Sequence, residues 1–309
     1  MTKGRNCSLD YMLNKDWAKN TLRIDKDVLY VVGGLYGNNF ALELINSKAE
    51  KENAQIIFNG DMHWFDINKD DFLTVENNSI KGIKLLGNVE YELINSKDNL
   101  GCGCNYPEDV SEGIVERSNA IHQMMKDNLG NDDVLEEIQL RNKTLSVEFL
   151  NKKIAITHGD EKSMSGWQCS HSSLQKKDRQ DELDTWLDDN KVDILATTHT
   201  CLPALYNNDK HIVVNNGAAG MANVKDSTYG LITRIAKTPS EDAIVSEKID
   251  NIYVELVKID FSIEKFLEWF ESVWDDNSPA SISYKKRIIH GTSLEISNIK
   301  VLDKGMFNE

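Results

Sequence analysis

Four polar residues with ligand chemistry each stand just behind a short apolar run. Asp61 follows Ile56-Ile57-Phe58-Asn59-Gly60, and Asn88 follows Ile83-Lys84-Leu85-Leu86-Gly87. His158 follows Ile154-Ala155-Ile156-Thr157, and His199 follows Ile194-Leu195-Ala196-Thr197-Thr198. One carboxylate, one amide oxygen and two imidazoles make a borderline-hard donor set that suits Mn, Fe or Zn. Taken singly, each has an ordinary explanation. Asp after Gly is a common turn or cap residue, and a lone histidine is more often a satisfied side chain than a ligand. Their recurrence at the ends of four runs is what points to one site.

The runs themselves must position these groups. Val28-Leu29-Tyr30-Val31-Val32 ends in Gly33-Gly34 and precedes a helical pattern from Asn39 to about Lys48. Short apolar runs bounded by glycine, with helical patterns between them, predict buried strands of an α/β fold. The carboxyl ends of such strands converge on a crevice where ligands bind. A helix is expected from Asp109 to Leu129 with Val110, Ile114, Ile121 and Met124 inward, then a hairpin over 146–156 turning at Asn151-Lys152. The spacing further predicts a helix from Leu174 to Asn190 and strands near 212–214, 230–235 and 252–259. A polar loop over 237–248 and an aromatic-rich helix over 262–274 complete the expectation. Without repeats or low-complexity linkers, residues 1–309 read as one domain, with an N-terminal extension to about 27 and a C-terminal helical tail over about 262–309.

Composition narrows the function classes. The chain carries 35 Lys+Arg against 50 Asp+Glu, a formal net charge of −15, with 40% hydrophobic and 28% charged residues. That balance excludes a collagen-like, disordered or membrane-spanning chain. It disfavours non-specific nucleic-acid binding, which needs clustered cations, and an anionic membrane surface. A small phosphorylated substrate in a local basic pocket stays compatible. The first ten residues hold no apolar signal segment, so the cytoplasm is the expected location. Five cysteines, at 7, 102, 104, 169 and 201, are an odd number and read as reduced thiols. For Gly101-Cys102-Gly103-Cys104, metal binding, redox chemistry and no role all stay open.

The order of the strand-end motifs resembles the calcineurin-like metallophosphoesterase superfamily, whose pattern runs Asp-x-His, Gly-Asp-x-x-Asp, Gly-Asn-His-Asp/Glu, His and Gly-His-x-His. Here the counterparts are Gly34-Leu35-Tyr36-Gly37-Asn38, Gly60-Asp61-Met62-His63-Trp64, Gly87-Asn88-Val89-Glu90, Thr157-His158-Gly159-Asp160 and Thr198-His199-Thr200-Cys201. The resemblance spans roughly Val28 to Gly220 and implies a four-layer α/β/β/α sandwich. It also implies a phosphoesterase in which a metal-bound hydroxide attacks a phosphate ester. One of the family's two metal positions is complete in Asp61, Asn88, His158 and His199. The other is altered, because Gly34 and Tyr36 replace its Asp and His and Cys201 replaces its last His. One ion per chain is therefore favoured over two, with Tyr36 and Cys201 as further candidate ligands. Val89 replaces the family's His beside the Asn, so His63 is the candidate acid or phosphate donor, with Glu90 and Asp160 orienting the ligands. Gly37, Asn38 and Arg117 are candidates for the substrate side; Arg117 could clamp a phosphate with its fork of donors. The rival expectation is a non-catalytic binding protein that kept the fold and one metal.

Overall fold

The computed structural model describes residues 3–5, 9–95, 100–130 and 133–301; Cys7 and the last eight residues of the expected tail lie outside the described residues. Thirteen strands among these residues form two sheets. In chain order they are β1 (Leu22–Arg23), β2 (Val28–Val32), β3 (Gln55–Asn59), β4 (Ile83–Leu85), β5 (Thr144–Phe149), β6 (Lys152–Thr157) and β7 (Ile194–Thr197). They continue with β8 (Pro203–Asn207), β9 (Ile212–Asn216), β10 (Gly230–Ala236), β11 (Ala243–Ile249), β12 (Ile252–Ile259) and β13 (Lys300–Val301). The first sheet has the order β11-β12-β10-β2-β3-β4, and the second β1-β5-β6-β7-β9-β8-β13. Strands β2, β3 and β4 run parallel, as do β6, β7 and β9. Every residue of β2, β7 and β9 is buried, as strands covered on both faces require.

The helices are α1 (Asn39–Glu52), α2 (Lys69–Asn78), α3 (Asn88–Ile94), α4 (Glu112–Leu129), α5 (Asp133–Gln139), α6 (His171–Leu174), α7 (Lys177–Asn190), α8 (Ile263–Val273) and α9 (Lys286–His290). Leu29, Val31 and Ile57 of the first sheet pack against Ile154, Ile156 and Val214 of the second, so the sheets meet face to face. Tyr30, Val32 and Phe58 turn to the other side, against Leu42 and Ile45 of α1 and Phe266 and Phe270 of α8. On the far face of the second sheet, Leu195 and Val213 pack under Leu183 and Leu187 of α7. Helices thus flank two sheets, the layering that the resemblance implies. No helix among the described residues is long and apolar enough to cross a membrane.

Three local expectations need correction. The buried stripe of α4 is Val115, Ser118, Ile121, His122, Met125 and Leu129, while Ile114 and Met124 stay exposed. Two overlapping sets with 3–4 spacing compete along this helix, and the polar Ser118 and His122 disguise the buried one. The polar stretch over 237–248 is not all loop: it contains most of β11, an edge strand bulged between Ala243 and Val245 whose Lys248 faces water while Glu247 pairs with Asn207 and Lys300. Strand β8, opened by Pro203, went unread between the fifth motif and β9.

Candidate metal centre

Asp61 and Asn88 come from the ends of β3 and β4 in one sheet, His158 and His199 from the ends of β6 and β7 in the other. Buried amides join the two sheets at this end. Asn59 Nδ2 donates to Thr157 O at 2.8 Å and to Thr198 Oγ1 at 3.1 Å, and Asn216 Nδ2 donates to Gly33 O at 3.0 Å. The turn after β3 is tight: Gly60 has φ +76°, and a Cβ there would meet Gly87 N at 2.4 Å. Asp61 itself sits at φ +51°, a conformation costly for a non-glycine residue. Glu90 holds it there. Its carboxylate accepts the N–H groups of Asp61 at 2.9 Å, Met62 at 2.7 Å and Gly87 at 2.9 Å.

The imidazoles are oriented by carbonyls, which only accept. His158 Nδ1 lies 2.7 Å from Asn59 O, and His199 Nε2 lies 3.0 Å from Cys104 O. Each of those nitrogens therefore carries the proton. This leaves His158 Nε2 and His199 Nδ1 facing one another at 3.2 Å, with Asp61 Oδ2 3.2 Å from His158 Nε2. Two neutral imidazoles would oppose lone pairs there, so the pair needs a cation between them. Without a metal, a proton serves: burial lowers the pKa of His158, but the adjacent Asp61 carboxylate outweighs it and the net shift is upward. Burial and the His158 charge press His199 down to about 3. Burial would raise Asp61, yet the charge and hydrogen bond of His158 hold it below its ordinary value.

The fourth ligand position fits a metal too. Asn88 Nδ2 donates to Cys102 O at 2.9 Å, whereas its buried Oδ1 has no hydrogen-bond partner among the described residues. A buried amide oxygen left unpaired is costly unless something outside the chain's own donors completes it. Asp61, His158 and His199 offer ligand atoms within 4.8 Å of one another. The donor set and its spare lone pairs thus suit a divalent transition ion.

The cluster opens into a cavity of about 40 Å³ that Asp61, Asn88 and His199 line together with Trp64, Cys104, Tyr106, Trp167, Cys201 and the Tyr36 and Tyr284 rings. Its far wall has closed on itself. Tyr36 Oη and Cys201 Sγ are 2.7 Å apart, and both residues have left-handed backbones at φ +57°. The Tyr36 ring also fills the space of a side chain at position 34, with Cζ and Oη 3.1 Å from where a Cβ would stand. Burial first, then neighbouring negative groups, raise the Tyr36 phenol well above 10. Burial raises the Cys201 thiol against the opposing effect of Arg287. No Lys or Arg lines the cavity among the described residues.

Several predicted site residues lie elsewhere. His63 is fully buried with both nitrogens spent, Nδ1 on Asp66 at 2.6 Å and Nε2 on Glu76 at 2.9 Å, and its ring stacks on Phe72. It does not line the cavity, because the apolar turn of Trp64 and Phe65 carries it into the core instead. Gly37 is pressed against Asp66, and Asn38 caps α1 through Ala41 N while donating to Gly220 O at 2.9 Å. Arg117 on α4 donates to Ser283 Oγ at 2.7 Å, outside the cavity. Asp160 accepts the N–H groups of Lys162, Ser163 and Gln168 and so shapes the loop after His158. The aromatic wall was missed. Trp64 beside the second motif offered a signal, but Trp167 and Tyr284 sit far from any motif.

No family model and no curated protein matches the sequence. Solved structures do match. A metallophosphoesterase from Sphaerobacter thermophilus aligns with a TM-score of 0.56 at 13% identity, over 86% of this chain and 100% of that one. A hypothetical protein from Pyrococcus horikoshii OT3 gives 0.57 at 12% identity, over 86% and 99%. Identity this low speaks to the fold alone.

Proposed function

The chain has the metallophosphoesterase fold, and we propose that it is a metal-dependent phosphoesterase using one ion held by Asp61, Asn88, His158 and His199. The observation that carries this reading is the pair of facing imidazole nitrogens beside Asp61, whose outer nitrogens are fixed as donors by Asn59 O and Cys104 O. A bound divalent ion supplies a water of lowered pKa and polarises a phosphoryl oxygen. The chain's own residues do the rest. Glu90 locks the Asp61 turn, and Trp167 donates through Nε1 to Cys104 O at 2.9 Å, bracing the carbonyl that orients His199. Tyr36, Tyr106 and Tyr284 all keep their phenolic protons, because burial raises each pKa above 10. The hydroxyls of Tyr36 and Tyr106 are engaged by Cys201 Sγ at 2.7 Å and Ser118 Oγ at 3.0 Å, so this tyrosine wall is neutral as well as, among the described residues, free of cations. A small phosphorylated compound is the proposed substrate class.

One observation favours a second reading, a metal-holding protein without turnover. A cavity of about 40 Å³ takes a few waters at roughly 10–15 Å³ each, not an ester. Hydrolysis therefore requires the wall of Trp64, Trp167 and Tyr284 to part. A panel of phosphomonoesters and phosphodiesters, with metal quantified in the same preparation, separates the two readings. Metal-dependent release of alcohol supports the enzyme. A fully metal-loaded protein that turns over nothing on the panel supports the binding protein.

A further inference from the structure

The strip of chain that forms one side of the cavity has a second face. Tyr284 and Cys201 line the cavity, while Ser283 and Arg287 line an open cleft of about 650 Å³ with Lys225, Lys286 and His290. Arg287 is half-buried and fixed by two backbone carbonyls, Nε on Ala222 O at 2.8 Å and Nη2 on Cys201 O at 2.6 Å. No carboxylate pairs with it among the described residues, and its Nη1 has no partner there. Lys286 beside it is exposed and equally unpaired. The contrast with its neighbour is sharp: Lys285 is held by Glu271 at 2.9 Å and Asp276 at 2.6 Å. Of the two acids in the cleft, Glu295 is spent on Lys225 at 2.6 Å, leaving Asp226 as the opposing charge. Arg117 adds a second guanidinium through its bond to Ser283 Oγ.

A partly desolvated guanidinium without a counter-ion is unfavourable by itself. In a chain of net charge −15, unpaired cations gathered on one strip also make a local exception to a field that repels anions. We propose that this cleft is a phosphate-binding subsite, in which Arg287 and Lys286 hold the oxygens of a phosphate group and Arg117 reinforces them through Ser283. With Nε and Nη2 fixed on carbonyls, Arg287 offers Nη1 to one phosphate oxygen in a charge-assisted bond, and the Lys286 ammonium can reach another. The phosphate comes from one of two sources, free inorganic phosphate or the non-scissile phosphate of a substrate carrying two; only the second rests on the phosphoesterase reading.

Titration of the purified full-length protein with inorganic phosphate, followed by calorimetry, tests the subsite. Lys286→Ala should weaken binding at least threefold and Lys286→Ala/Arg117→Gln at least tenfold, while Lys285→Ala stays within twofold of the parent. Absence of binding, or equal binding by all of these proteins, overturns the proposal. The source is read from steady-state kinetics. A raised KM in Lys286→Ala for an ester bearing two phosphates, with an unchanged KM for one bearing a single phosphate, assigns the subsite to substrate. Unchanged KM values beside weakened phosphate binding assign it to free phosphate. If the parent hydrolyses neither ester, the phosphoesterase reading fails and the calorimetric result still stands.

Discussion

Two buried carboxylate–imidazole clusters begin two residues apart in the sequence, at Asp61 and His63, and they are opposite in kind. Around His63 every imidazole nitrogen and carboxylate oxygen is engaged, and among the described residues of this network only Arg141 Nη1 lacks a partner. The two His63 nitrogens donate to Asp66 and Glu76, Glu76 also takes two contacts at 2.6 Å from Arg141 Nη2, and Lys84 completes the network. Around Asp61 the bonds run out. The lone pairs of His158 Nε2 and His199 Nδ1 face each other beside Asp61, and Asn88 Oδ1 has no hydrogen-bond partner among the described residues. Both clusters are buried, and in both a histidine is pushed upward in pKa, His63 to about 9 because Asp66 and Glu76 outweigh its burial. Burial and a shifted pKa therefore do not separate the two. Unspent lone pairs do.

The largest effect should come from breaking the finished cluster. His63→Ala strands two buried carboxylates, and removing one partner of a buried ion pair typically costs about 3–5 kcal/mol. Urea unfolding should show a loss of that order with metal content unchanged. A variant that kept its stability but lost turnover would restore His63 to the reaction, as the sequence first suggested. The unfinished cluster should respond in the opposite way. His158→Ala should lower metal affinity by more than the roughly 10–100-fold that loss of an outer partner costs, as read by competition with a chelating dye. Its metal-free stability should fall less than that of His63→Ala. Glu90→Gln sharpens the contrast. It removes no ligand, yet it loosens the strained Asp61 turn, so affinity should drop within that roughly 10–100-fold range.

A smaller effect appears with pH. Burial opposes ionisation of Glu76, but His63 and Arg141 outweigh it and hold its carboxyl well below the ordinary 4.5. A depressed carboxylate contributes stability above its unfolded pKa and loses it as pH falls toward the folded value. Thermal melts should therefore fall on acidification below about pH 4.5, and Glu76→Gln should flatten that acid limb. An equally steep limb in the variant would place the acid sensitivity in other carboxylates.

The sequence made the parallel strands and their polar ends legible, because fully buried strands write continuous apolar runs and ligands must follow directly behind them. The apolar runs of β2, β3, β6, β7 and β9 were enough to read an α/β fold, whereas two sheets face to face were implied only by the family resemblance. What stayed hidden depends on contacts remote in sequence. Tyr284 reaches the cavity from the C-terminal segment, Cys104 orients His199 through its backbone carbonyl, and Trp167 acts through that same carbonyl. His63 misled for a related reason. Its partner Asp66 lies three residues on, but Glu76 and Arg141 arrive from α2 and the segment before β5, and no spacing rule announces them. The Tyr36 ring closes over Gly34 and its phenol bonds to Cys201, so three positions that the motif resemblance treats separately meet in one contact.

The one-ion proposal is decided by counting metal in the purified protein and locating it by anomalous scattering. One ion per chain is expected, bound by Asp61, Asn88, His158 and His199, with Tyr36 and Cys201 still bonded to each other. Two fully occupied ions bridged by Asp61 would contradict it, because the wall of Gly34, Tyr36 and Cys201 would then be a metal site and not a closed remnant of one.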